Sequence, residues 1–348
     1  MSRGLGDVYK RQILISKVNM VKVSVIIPIF KTEKFIERCV RSLMEQTLDS
    51  IEYIFVNDCT PDKSVEIIER VVEDYPHRKS FIKIISHEKN RGSASTRNTG
   101  LRAATGNYII YCDSDDWIDT NAYELMYLKA IETNADIVVS DYYKDYPNFS
   151  QVQKQDYPED SINCIQEMLR GHLHCATWNK LIKKSIYINN KIIFPDGINM
   201  WEDVLTVIPL FYYAKKIVYI PHAFYHYIQY NTNSYTFKLN NSSMNNLVSA
   251  INLLSDFFYK TNTNDLFKEA FLYKKLTVKL NLMINSDCNK RKELNKLYPE
   301  TNHIIWSYKV MSLYWRIALI CAKYNCLGIF NIMVLLSLIH ISEPTRHS

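Results

Sequence analysis

No two of the eight cysteines in this 348-residue chain stand in a C-x-x-C pair. Cys39, Cys59, Cys112, Cys164, Cys175, Cys288, Cys321 and Cys326 are scattered, several of them inside apolar runs. That pattern reads as reduced thiols of a cytosolic protein, not as a disulfide framework or a zinc site. An internal repeat and a low-complexity tract are missing too. So is any clean run of about twenty apolar residues: Lys309, Arg316 and Lys323 interrupt residues 306–335. A spanning helix is therefore not expected there. The segment reads as a core-packing helix, with a helix lying on the cytoplasmic membrane face as the alternative. The G-x-x-x-x-G-K-[ST] loop is absent as well, which excludes a Walker-type phosphate site.

Hydrophobic residues make up 47% of the chain and charged residues 22%. That balance suits a sizeable core and one large α/β domain, or a core domain with an appendage. The formal charge of +6 depends on the N-terminal flank. Asp7-Val8-Tyr9-Lys10-Arg11-Gln12 is the translation of a transposase-based sequencing adapter end, and Leu336-Ser337-Leu338-Ile339-His340-Ile341 resembles the same adapter on the opposite strand. Residues 1–19 and 336–348 are accordingly set aside as non-native ends. Met20 is the expected natural start, and the natural C-terminus is expected to be missing. The leader holds Arg3, Lys10, Arg11 and Lys17 against Asp7, so without it the charge falls from +6 to +3. No nucleic-acid footprint remains.

Val23-Ser24-Val25-Ile26-Ile27-Pro28 has the nearly continuous apolar character of a strand buried on both faces. Thr32 is a plausible helix cap, followed by an apolar stripe at helical spacing through Phe35, Ile36, Cys39, Val40, Leu43 and Met44. Further strands are predicted over residues 51–56, 81–86, 108–112 and 136–140. Helices are predicted over 64–74 and 94–104 and after Asp119. Such alternation predicts an α/β fold with a mostly parallel central sheet and flanking helices. Residues 142–165 are polar and irregular, 166–235 mixed and aromatic-rich, and about 242–335 helical.

In such sheets ligands gather at the C-terminal ends of strands. Phe30 follows the first strand, Asp58 ends the second, and Asp113-Ser114-Asp115-Asp116 leaves the fourth. Two carboxylates flanking one residue at a strand exit suit a hard divalent cation shared with diphosphate oxygens; the alternative is an acidic turn before the next helix. Asp58 reads as a base or ribose contact, or as a turn former. The stretch from Asn90-Arg91-Gly92 to Arg97-Asn98-Thr99-Gly100 sets small residues and two arginines at a helix start, an arrangement that favours anions. An ordinary loop is its alternative. Trp201-Glu202-Asp203 offers a carboxylate able to deprotonate a hydroxyl, or simply a solvated helix start. His226, in Tyr225-His226-Tyr227, reads as part of a packed aromatic strand, with a late metal or phosphate contact as the alternative.

Together these motifs resemble the catalytic domain of family 2 glycosyltransferases, the inverting class with the GT-A, Rossmann-like fold. The resemblance runs from Met20 to about Tyr143. Trp178-Asn179-Lys180-Leu181 and Glu202-Asp203 resemble downstream motifs of bacterial surface-polysaccharide members. Two positions depart from the family: Phe30-Lys31 stands where many members have Tyr or Asn, and Asp58-Cys59-Thr60-Pro61-Asp62 replaces a small-residue turn. The resemblance implies a nucleotide-sugar-binding half over residues 20–125 and an acceptor half over 126–235; it fades in the C-terminal region over 236–335, which apolar spacing alone marks as helical. It implies Pro28 and Phe30 lining a nucleobase pocket, Asp58 on the base, Arg97 on the nucleotide, Asp113 on ribose and Asp116 beside the donor. It gives Asp115 to the metal, Mg²⁺ or Mn²⁺, and Asp203 to the proton, with Glu202 shaping the acceptor site. The partners implied are a nucleotide-sugar donor and a saccharide or lipid-linked acceptor, at or near the cytoplasmic face of the inner membrane. A sugar-1-phosphate nucleotidyltransferase would instead carry a Gly-rich loop after the first strand, where Phe30-Lys31-Thr32-Glu33 has no Gly. A non-catalytic binding module is the third reading.

Overall fold

The computed structural model describes residues 21–231 and 241–342. The leader with Met20, the boundary at 235/236 and the end of the tail lie outside the described residues. The chain forms two compact units, one of residues 21–164 and 175–231, the other of residues 165–174 and 241–342.

The first unit is built on a nine-stranded sheet in the order β3-β2-β1-β4-β8-β6-β9-β5, with β7 paired to β6. Its strands are β1 (Val23–Ile29), β2 (Ile51–Asn57), β3 (Ile82–Ser86), β4 (Tyr108–Tyr111), β5 (Trp117–Ile118), β6 (Ile137–Asp145), β7 (Ser150–Gln153), β8 (Lys180–Lys183) and β9 (Ile217–Ile228). The first four run parallel, joined by α1 (Ile36–Met44), α2 (Ser64–Glu73) and α3 (Ser93–Ala103). Beyond β4 the sheet is mixed. β8 inserts antiparallel between β4 and β6, β9 runs parallel to β6, and β5 pairs antiparallel with β9. The predicted fifth strand thus does not lie beside the fourth. β6 also runs on to Asp145 and pairs with β7, so part of the segment expected to be irregular is a hairpin.

β1 is buried along almost its whole length because helices cover both faces. Val23, Val25, Ile27 and Ile29 pack into one core with Cys39, Val40 and Leu43 of α1. At about 1.5–3 kcal/mol per fully buried aliphatic side chain, this strand is a principal source of stability. On the other face Ile26 meets α3 at Gly100, where an added Cβ would lie 2.3 Å from Ile26 Cγ2. Only glycine allows α3 to sit that close. α1 starts at Ile36, not at Thr32. The Thr32 carbonyl accepts from the N–H groups of Phe35 and Ile36, while its hydroxyl lies 3.5 Å from Ser64 Oγ.

The remaining helices of this unit are α4 (Ala122–Thr133), α6 (Lys184–Asn189) and α7 (Glu202–Tyr213), and α5 (Ser161–Arg170) begins within it. The second unit contains α8 (Asn241–Lys260), α9 (Asn264–Ile284), α10 (Cys288–Leu294), α11 (Leu313–Lys323) and α12 (Leu327–Ser342). Leu276, Met283, Ile305, Ala318, Leu319 and Phe330 belong to its core.

At the end of the sheet opposite the acidic motif, Glu52 is buried. Its Oε1 accepts from Ser24 Oγ at 2.6 Å, Thr105 N at 2.6 Å and Thr105 Oγ1 at 2.8 Å, and Lys83 Nζ donates to Oε2 at 2.8 Å. Burial alone would raise this carboxyl, but Lys83, Ser24 and Thr105 hold it below its ordinary 4.5. Its stabilising effect is therefore present above that value and lost as pH falls through the depressed one. Glu52→Gln should cost about 1–3 kcal/mol at neutral pH. The gap to the parent protein, followed by denaturant melts, should close as pH drops below 4.5. A gap that stays constant with pH would contradict this role.

Candidate active site

Every predicted site residue of the first unit lies at the carboxyl end of the parallel strands or on an element that folds back over it. The acidic motif is fixed from behind. Trp178 stacks on Tyr225 with ring centres 4.3 Å apart. The Tyr225 hydroxyl accepts from the Asp113 N–H at 3.0 Å and donates to Asp116 Oδ2 at 2.7 Å. Asp116 Oδ1 accepts from the Ile228 N–H at 2.8 Å. Asp116 is thus buried with both oxygens engaged, tying the motif to the end of β9. Burial, with Asp115 and Asp113 nearby, pushes its carboxyl well above the usual range.

Asp113 and Asp115 are partly exposed. Asp115 Oδ2 accepts from Asn231 Nδ2 at 2.7 Å. Burial and the neighbouring Asp113 push the Asp115 carboxyl up to about 6. Carboxylates crowded at one strand exit are under-compensated, which is the electrostatic condition a hard dication relieves. Among the described residues no three His, Cys, Asp or Glu side chains are grouped to hold a metal by themselves. A cation on Asp115 would complete its shell with oxygens from elsewhere.

Arg97 carries the electrostatics. It projects from α3, nearly buried, and donates through Nη2 to Asp113 Oδ1 at 2.9 Å and through Nη1 to Glu202 Oε1 at 2.6 Å. Ser93, one turn earlier, hydrogen-bonds both Arg97 and Glu202. Burial opposes the guanidinium's charge, but Asp113, Glu202 and Asp203 more than offset it. The pairing links the fourth-strand exit to the first turn of α7. There Asp203 is half-buried and its Oδ1 accepts from the Val204 N–H at 2.8 Å. A helix N-terminus favours that negative charge. Near this turn Lys180 is wholly buried, with Nζ donating to Ala176 O and Asn179 Oδ1 at 2.7 Å each. Burial lowers its pKa to about 7, against the pull of Cys175, Asp203 and Cys164.

Asp58 faces the Gly92 loop. Oδ1 accepts from the Arg91 N–H and Oδ2 from the Gly92 N–H, both at 2.8 Å, and His87 Nδ1 lies 2.8 Å from Oδ1. Gly92 adopts φ +84°, and a Cβ there would fall 2.4 Å from the Asn199 side chain. Phe30 lies 40% exposed at the β1 exit, and Pro28 is half-buried behind it. Lys31, Cys59 and Trp201 all have left-handed φ, and each adjoins a predicted site residue. Such backbone costs about 1–2 kcal/mol per residue and persists only where the surroundings enforce it. In the departing turn, Asp62 accepts from Thr60 Oγ1, Ser64 N and Glu33 N, so its side chain orders the turn without glycine.

His226 lies in a packed aromatic column between Trp117 and Tyr143, at centroid distances of 3.4 and 4.4 Å. Its nitrogens face Asp145 and Asp119. The sequence reading missed His87, Ser93 and Asn231. Ser93 has a readable signal, four residues before Arg97 on one helix; His87 and Asn231 have none beyond polar loop positions.

Asp58→Asn would set an amide N–H against a backbone N–H and loosen the loop. It should lower stability by about 1–3 kcal/mol and speed hydrogen exchange at the Arg91 and Gly92 amides. Unchanged protection of those two amides would refute this role.

With this geometry established, known proteins provide the comparison. The model of "Glycosyl transferase family 2" matches residues 24–191. The uncharacterized glycosyltransferase EpsJ of Bacillus subtilis is 32% identical over 221 residues, 62% of each chain. Glycosyltransferase GlyG of Streptococcus pneumoniae is 30% identical over 218 residues, 59% of this chain and 70% of its own length. The chain spans only about three-fifths of the length of EpsJ and of other curated relatives it matches. The crystal structure of Staphylococcus aureus TarS 1–349 in complex with UDP-GlcNAc superposes with a TM-score of 0.67 over 90% of both chains at 16% identity, which shows a shared fold. The strand-exit acids, the arginine-bearing helix and the Glu202-Asp203 turn thus stand in a chain that belongs to glycosyl transferase family 2.

Proposed function

We propose that this chain is a metal-dependent, inverting glycosyltransferase. It moves a sugar from a nucleotide-sugar donor to a hydroxyl of a saccharide or lipid-linked acceptor, in the synthesis of bacterial cell-surface polysaccharide. The observation that carries the reading is the Asp113–Arg97–Glu202 bridge, which draws a diphosphate-compatible acidic site and a candidate base into one charge network. Family membership supports the reaction class. The TarS complex, with UDP-GlcNAc on the same fold, supports a nucleotide-sugar donor.

Pro28 and Phe30 would line the nucleobase pocket. Asp58 already accepts two backbone N–H groups, so a base N–H would share one of its oxygens. Arg97 would act on the nucleotide largely through Asp113, which would meet the ribose. Asp115 would hold Mg²⁺ or Mn²⁺, and Asp116 would brace it from behind. The metal, when bound, would offset charge on the departing diphosphate.

Asp203 would take the proton from the acceptor hydroxyl as that oxygen bonds to the anomeric carbon. The bond from that carbon to the diphosphate oxygen breaks, nucleoside diphosphate leaves, and the anomeric configuration inverts. Glu202, held by Arg97 and Ser93, would keep Asp203 at its place on the helix.

A panel of nucleotide sugars incubated with Mn²⁺ and acceptor should release nucleoside diphosphate from one donor class. Asp203→Asn should lower turnover by about 10²–10⁴-fold and leave donor-induced thermal stabilisation intact. Asp115→Ala should abolish the metal-dependent part of that stabilisation. Release of pyrophosphate, or full turnover by Asp203→Asn, would sink the reading.

A further inference from the structure

α11 has two apolar faces. Ala318, Leu319 and Ala322 point into the core of the second unit. Leu313 and Ile317, with Tyr324 two turns on, recur at helical spacing on the other side and are 53, 41 and 68% exposed. Trp306, in the segment before α11, is 58% exposed. α12 repeats the arrangement: Phe330 and Val334 are buried, Ile332 and Leu335 exposed. A helix that serves only its own core needs one apolar stripe, so the second requires an occupant.

Charge identifies it. Residues 301–335 contain no Asp or Glu, while Lys309, Arg316 and Lys323 border the exposed apolar side chains. The Arg316 guanidinium lies over the Trp306 ring at 5.6 Å, and Lys323 Nζ lies over Tyr324 at 5.4 Å. Long cationic side chains laid along aromatic rings keep their charged ends toward the polar side of an interface. A two-fold contact of this face with its own copy would bring like charges together, which disfavours self-association. Among the described residues no helix is long and apolar enough to cross a membrane. Large aromatic and aliphatic groups interleaved with cations, in a segment without acids, match the boundary of an anionic bilayer.

We infer that the exposed face of α11 and the Trp306 segment dock on an anionic lipid surface, with the side chains of Leu313, Ile317 and Trp306 inserted and Lys309, Arg316 and Lys323 on the headgroups. This inference does not depend on the donor chemistry, and its test involves no turnover. The full chain is sedimented with vesicles of phosphatidylcholine alone, or of phosphatidylcholine mixed with phosphatidylglycerol. Binding should be at least about tenfold stronger to the anionic vesicles and should fall as salt is raised. The double variant Leu313→Glu/Ile317→Glu should lose at least about tenfold of that binding, with its thermal midpoint unchanged because both side chains face outward. Lys309→Glu/Lys323→Glu should erase the preference for anionic vesicles. Equal binding to both vesicle types, or undiminished binding by Leu313→Glu/Ile317→Glu, would overturn the inference. So would a dimer in light scattering that this variant dissociates, without vesicle binding by the parent.

Discussion

A single guanidinium, nearly out of water, holds together the candidate site at the carboxyl end of the first unit's parallel strands. Arg97 faces Asp113 on one side and Glu202 on the other, with Asp203 adding to the same field. Buried charges are tolerated only when paired, and removing one partner strands the others at a cost of about 3–5 kcal/mol. Three pieces of chain distant in sequence are therefore committed to one arrangement: the fourth-strand exit, the start of α3 and the start of α7. The chemistry proposed for this chain needs that commitment, because a donor anchor and a proton acceptor must keep a fixed separation.

The surrounding structure holds this cage in place. Trp178 braces Tyr225, whose hydroxyl fixes both Asp113 and Asp116. Asp58 locks the Gly92 loop from which α3, and with it Arg97, begins. The left-handed residues Lys31, Cys59 and Trp201 are local costs offset by this network. The polar knot at Glu52 fixes the opposite end of the same strands, leaving the ligand end to be shaped by charge.

Much of this was legible in the residues. β1, β2 and β4 announced themselves as apolar runs, because strands buried on both faces need no alternation. The acids at their ends followed from topology. Other features were not legible. The antiparallel insertion of β8 is a non-local pairing that no local pattern encodes. Asp116 looks like its neighbours in sequence, yet the Ile228 and Tyr225 contacts made by β9 turn it inward. Arg97 was readable as an anion binder, but its partner Glu202 lies 105 residues away. The helical cap was misjudged at Thr32 because its backbone carbonyl, not its side chain, meets the helix start.

The central claim is that Arg97 and Glu202 act as one unit in positioning the site. A double-mutant cycle on kcat/KM with Arg97→Met and Glu202→Gln tests it most directly. If the two act together, the second substitution should cost little once the first is made, giving a coupling of at least about 1.5 kcal/mol, roughly tenfold. Strictly additive losses would mean that the bridge does not organise the site, and would contradict the account.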